Sequence, residues 1–171
     1  MIMMNVSLIA VGKLKESYWR DACAEYEKRL SAFCRFHIVE LPETRLPERP
    51  SQAQIDAALA EEGKRILSAA GGSYLVSLCI EGKELSSEEL AARLRDLPVR
   101  GISSLAFCIG SSFGLSPEVK NASSLRLSFS PMTFPHQLAR IMLCEQVYRA
   151  FQIGANGKYH KSVSYTHLTL P

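Results

Sequence analysis

Two hydrophobic rhythms alternate along this chain. Five short runs are dense in aliphatic and β-branched residues: Val6–Val11, Phe36–Leu41, Tyr74–Ile80, Ser104–Ile109 and Leu125–Phe129. Each predicts a strand, and the unbroken apolar character of Tyr74–Ile80 and Leu105–Ile109 fits strands covered on both faces. Between them the apolar residues fall three and four apart. Ser17–Leu30 places Trp19, Cys23, Tyr26 and Leu30 on one helical face. Ser51–Ala69 follows a loop holding Pro42, Pro47 and Pro50, opens at an N-cap serine and stops at Gly71-Gly72. Ser86–Leu97 begins with Ser86-x-x-Glu89, a capping box in which each side chain satisfies the other's free backbone N–H. Ser116-Pro117-Glu118 sets proline just inside a short helix. Pro135 opens the last helix, Pro135–Ile153, with Leu138, Ile141, Met142 and Phe151 as its burying stripe.

Strands alternating with helices predict an α/β fold, a parallel sheet flanked by helices on both faces. Ligands in such sheets collect at the carboxyl ends of the strands. Three loops become candidates: those after Ile80, Ile109 and Phe129.

Composition adds bounds. The 171 residues suffice for one domain with a real core, expected over residues 4–161. Residues 1–3 and the closing SVSYTHLTLP (162–171) are expected to lie outside it. Apolar residues at 47% and charged residues at 22% are ordinary for a globular protein. A net charge of +3 permits a nucleic-acid partner without requiring one. Cys23, Cys34, Cys79, Cys108 and Cys144 form no C-x-x-C pair and mostly sit in apolar runs, which predicts reduced buried thiols, no metal site and a cytosolic protein. No run approaches the ~20 apolar residues of a membrane span.

The second loop, IGSSFGLSPE, has Gly110 and Gly114 but neither a G-x-G-x-x-G pattern nor the lysine of a P-loop; an ordinary turn would use the same glycines. The third loop, FSPMTF, is apolar where loops are usually polar and is stiffened by Pro131 and Pro135. A rigid apolar loop suits a flat ring such as adenine. In the last helix Glu145 and Arg149 have the spacing of an ordinary i,i+4 ion pair. Beyond it, Lys158, Tyr159, His160 and Lys161 make a cationic, stacking-capable cluster suited to a nucleotide.

AVGKLKESYW near the start, IGSSFGL, LSFSPMTFPHQLARIMLCEQVYRAF and the closing YHK, in that order from about Met4 to Lys161, resemble the ribosomal RNA large subunit methyltransferase H family. That family is part of the SPOUT class of knotted methyltransferases. The resemblance implies a C-terminal trefoil knot, a homodimer and S-adenosylmethionine as cofactor. It also implies methylation of N3 of a pseudouridine in 23S rRNA on the assembled ribosome, with no separate RNA-binding domain. The family's cofactor contacts fall on Leu78, Gly110, Phe129, Ser130, Pro131, Met132, Thr133 and Phe134. Its substrate-side residues fall on Arg149, Tyr159, His160 and Lys161. Relatives usually carry Gly-Gly where this chain has Gly110-Ser111, and an acid where it has Cys79. If position 111 needed a positive φ, serine there would cost about 1 kcal/mol. Two other readings are a ribosome-binding SPOUT protein without catalysis, and a SPOUT methyltransferase acting on tRNA.

Overall fold

The computed structural model describes residues 3–155. Its elements run in the order β1 (Asn5–Val11), α1 (Ser17–Leu30), β2 (Arg35–Leu41), α2 (Gln52–Ala70), β3 (Tyr74–Glu84), α3 (Ser87–Val99), β4 (Ser104–Ile109), α4 (Pro117–Ala122), β5 (Leu125–Ser128) and α5 (His136–Gly154). All five strands lie in one sheet of order β2-β1-β4-β3-β5, and every pairing is parallel.

The period-2 geometry of the strands divides the core into two layers. Val6, Leu8, Leu105, Phe107 and Val76 point to one face, where they meet Leu30 of α1, Leu90 and Leu94 of α3, and Leu143 and Val147 of α5. Ile9, Val11, Ala106, Cys108 and Leu75 point to the other, against Ile66 of α2 and Val119 of α4. β1 and β4 are central, so both faces of each are apolar; β2, at an edge, is mostly half-buried or exposed.

Serine caps set the helix starts. Ser51 and Ser86 both form reciprocal capping boxes, with Gln54 and Glu89 as the returning side chains. Ser116 accepts from the Val119 N–H at the head of α4.

Two expectations change. β3 does not end at Ile80: after a register shift between Leu78 and Lys83 it rejoins β5, with Lys83 opposite Leu127 and Glu84 opposite Ser128. Gly82 makes this possible, because a Cβ there would stand 2.8 Å from the backbone carbons of Arg126 and Leu127. The second correction concerns α5. Its buried residues are Ala139, Arg140, Leu143, Cys144, Val147 and Ala150, whereas Leu138, Ile141, Met142 and Phe151 are only partly buried. Polar and apolar residues are interleaved around α5, so its sequence marks no single face as the buried one. On the buried face Ala139, Cys144 and Ala150 are small enough to let the helix approach its neighbours closely.

Arg140 is the exception on that buried face. It is 2% exposed, donates to Glu40 Oε2 at 2.7 Å and reaches the Gly12 carbonyl at 3.2 Å. The pair ties α5 to β2 and to the end of β1.

Candidate active site

At the carboxyl ends of β3, β4 and β5 the chain encloses a cleft of about 340 Å³, within the ~300–1,000 Å³ range of small-molecule sites. Three segments wall it: Leu78–Glu81 from β3, Ile109–Leu115 after β4, and the loop following β5. Leu78, Gly110, Phe129, Ser130, Met132, Thr133 and Phe134 all line it, so seven of the eight residues expected at a cofactor stand around one space. Pro131 is exposed and not on the lining.

The walls are mainly apolar. Phe113 is 47% exposed, Ile80 51% and Met132 71%, so the lining presents large apolar side chains to the open space. Polar atoms are held in defined places within the third loop, where Ser130 Oγ accepts from the Met132 N–H at 3.0 Å and the Ser130 carbonyl accepts from Ser128 Oγ at 3.2 Å.

The second loop is a tight turn. The Gly114 N–H donates to the Ser111 carbonyl at 2.9 Å, and Gly114 has φ +89°, which glycine adopts without strain. Gly110 is required for closeness: a Cβ there would lie 2.1 Å from the Gly114 carbonyl oxygen. Ser111 is buried, and its hydroxyl donates to Glu62 Oε1 at 2.9 Å.

Charged residues at the cleft went unnoticed in the sequence. Lys120, at the end of α4, is ion-paired with Glu81 of β3, and both line the cleft together with His136. The hydrogen bond from Lys120 holds the Glu81 carboxyl below its usual range. Burial, and then the Glu81 charge, pushes the neighbouring Cys79 thiol up, so it stays protonated at neutral pH. Lys120 and Glu81 are 39 positions apart in sequence, and only the crossover that places β3 beside β5 brings them together. His136 was readable in principle, as the first residue after the Pro135 that opens α5.

Arg149 does not line the cleft. It sits on α5 with its Nε 2.9 Å from Glu145 Oε1. Glu145 borders an adjoining hollow of about 720 Å³, walled also by Tyr26, Leu85, Leu90, Ile141 and Met142. Ser128 and Phe129 line both spaces, so the hollow and the cleft share a wall. Tyr159, His160 and Lys161 lie outside the described residues. Among the described residues no group of three or more His, Cys, Asp or Glu could hold a metal ion, and no helix is long and apolar enough to cross a membrane.

The fold has counterparts among solved structures. A probable methylase family protein from Haemophilus influenzae Rd KW20 is similar in fold, with a TM-score of 0.54 at 16% identity, over 96% of this chain and 74% of that one. The tRNA (m1G37) methyltransferase from Aquifex aeolicus is similar at TM-score 0.50 and 10% identity, over 85% and 69% of the two chains. The family model described as "Predicted SPOUT methyltransferase" matches residues 4–160. The chain belongs to the SPOUT methyltransferases and, within them, to the ribosomal RNA large subunit methyltransferase H family. Proteins of that name from Ligilactobacillus salivarius (strain UCC118) and Clostridioides difficile (strain 630) are each 49% identical to it over 159 residues, 92% of this chain and 100% of theirs. The one from Clostridium acetobutylicum (strain ATCC 824) is 50% identical over the same span.

Proposed function

We propose that this protein uses S-adenosylmethionine to methylate N3 of a pseudouridine in 23S rRNA on the assembled ribosome, acting as a homodimer in the cytoplasm with residues 4–161 as its working domain. The observation that carries the reading is the convergence of Leu78, Gly110, Phe129, Ser130, Met132, Thr133 and Phe134 on one mainly apolar cleft. The fit to this cofactor is chemical: Phe113, Phe129 and Phe134 offer flat faces for an adenine, Met132 adds an adaptable apolar one, and Gly110 and Gly114 present backbone with no side chain of their own. When bound, the cofactor supplies an already activated methyl group, so the protein's part is position and a deprotonated acceptor.

The acceptor nitrogen carries a weakly acidic imide proton, and its lone pair is freed only as that proton leaves. Arg149 and Lys161 supply the positive charge that stabilises the negative charge developing on the flanking carbonyl oxygens. His160, whose ordinary pKa lies near neutrality, takes the proton, and Tyr159 stacks on the base. Because Arg149 stands off the cleft of its own chain, the cationic group that completes the site is contributed by the second subunit. The knot implied by the family resemblance encloses the cofactor loops in this reading.

Mass spectrometry of large-subunit rRNA from a strain lacking the gene, with and without its restoration, tests the activity. The expected result is loss and return of one methyl on one pseudouridine; an unchanged modification pattern refutes it. Replacing His160 with alanine is expected to slow methylation on isolated ribosomes by at least about a hundredfold, and an unchanged rate removes it as the proton acceptor.

A further inference from the structure

The turn that forms one wall of the cleft is fastened to the rest of the protein by a buried carboxylate. Glu62 on α2 is 3% exposed. Its Oε1 accepts from Ser111 Oγ at 2.9 Å, and its Oε2 accepts from the Thr44 N–H at 2.9 Å. Both donors are neutral, and the ion pairs among the described residues lie elsewhere. A carboxylate is costly to desolvate without a cation, so its retention at this point needs a reason.

Its location is set with little slack. The next residue, Gly63, is so close to α4 that a Cβ would stand 2.4 Å from Ser116 Oγ and 3.2 Å from Val119 Cγ2. On the far side, Arg65 donates to the Pro42 carbonyl at 3.1 Å and to Thr44 Oγ1 at 3.4 Å, holding the proline-rich segment after β2. Glu62 thus bridges two loops that pack on α2. Neither Glu62 nor Thr44 lines the cleft, whereas Ser111 does. With glycine at 110 and at 114, Ser111 is the point at which a side chain anchors this turn to α2.

We propose that Glu62 is a positioning residue: by holding the Ser111 hydroxyl it sets the shape of the 110–114 turn against which the methyl donor packs. The proposal rests on the reading of the cleft as the donor site. S-adenosylhomocysteine titrated calorimetrically into the full chain tests it, alongside urea midpoints for each variant. Glu62→Ala and Ser111→Ala are each expected to weaken binding about tenfold. The double variant is expected to bind no more weakly than the weaker single, because both remove the same bond. Glu62→Gln is expected to stay within about twofold of wild type, since its amide can accept from Thr44 N–H and donate to Ser111 Oγ. A purely structural role would lower the urea midpoints and leave the dissociation constants unchanged. Wild-type constants in both singles, or losses that multiply in the double, overturn the proposal. Should Glu62→Ala fail to fold, Ser111→Ala alone decides. A wild-type chain that binds no S-adenosylhomocysteine refutes the donor site itself, an outcome distinct from tight wild-type binding that the variants leave unmoved.

Discussion

A single hydrogen atom for a side chain decides the geometry at Gly110. Alanine there would drive its methyl into the Gly114 carbonyl oxygen, 2.1 Å away, and backbone cannot swing aside as a flexible side chain could. Gly110→Ala is therefore expected to lower stability by about 1–3 kcal/mol in urea denaturation, and to weaken S-adenosylhomocysteine binding at least about tenfold as the turn shifts. Ser111 shows the opposite case. The sequence raised a possible backbone cost for serine at that position, but the structure gives its hydroxyl a buried acceptor 2.9 Å away on α2. That partner is 49 positions upstream, so no local pattern could reveal it. Cys108, fully buried, has its thiol pushed up from the usual 9.0 to about 12 by desolvation. For an acid the raised folded value means the native state keeps its proton after the unfolded chain has lost it. Stability is then complete below pH 9 and falls as pH climbs toward 12. The slope from this group is about 1.4 kcal/mol per pH unit. Urea midpoints at pH 8 and pH 10 under reducing conditions should show it; Cys108→Ala should reduce the difference by its own share and leave that of Cys34, which burial likewise pushes up to about 12.

At the scale of the elements, capping serines, proline starts and β-branched runs placed all five strands and five helices to within a few residues, save at the far end of β3. These signals are local, and local chemistry settled the boundaries. What the pattern missed was which side of α5 is inside, because a helix with polar and apolar residues interleaved all round carries little directional signal. Arg140 was equally hidden, since its partner Glu40 is 100 positions away on β2. The pair is asymmetric: Arg140 has a side-chain exposure of 3% and Glu40 of 38%. Removing the carboxylate strands a buried guanidinium, whereas removing the guanidinium leaves a carboxylate that water can reach. Glu40→Ala is expected to cost about 2–3 kcal/mol in urea denaturation, and Arg140→Met about 1 kcal/mol less than that. Equal losses would mean that water reaches the guanidinium in the folded protein.

For the molecule as a whole, the order β2-β1-β4-β3-β5 accounts for the position of the cleft, because it sets the carboxyl ends of β3, β4 and β5 side by side. The sequence supported three separate loops at carboxyl ends; their meeting in one space needed the strand order, which pairings between distant segments determine. The same topology keeps Arg149 outside its own cleft, while the hollow beside Glu145 shares Ser128 and Phe129 with it. If the site is divided between subunits, as proposed, a quantitative forecast follows. Gly110→Trp fills the cleft of one chain but leaves its C-terminal residues intact. A chain ending at residue 157 keeps its cleft but lacks Tyr159, His160 and Lys161. Each homodimer should be inactive on ribosomes that lack the modification. Refolded together in equal amounts, half of the dimers are mixed and each holds one complete site, so roughly a quarter of wild-type activity should return. A mixture as inactive as its parents would place the cationic residues in the same chain as the cleft they serve, and Arg149 would then have to reach Phe129 across α5 without help from a partner.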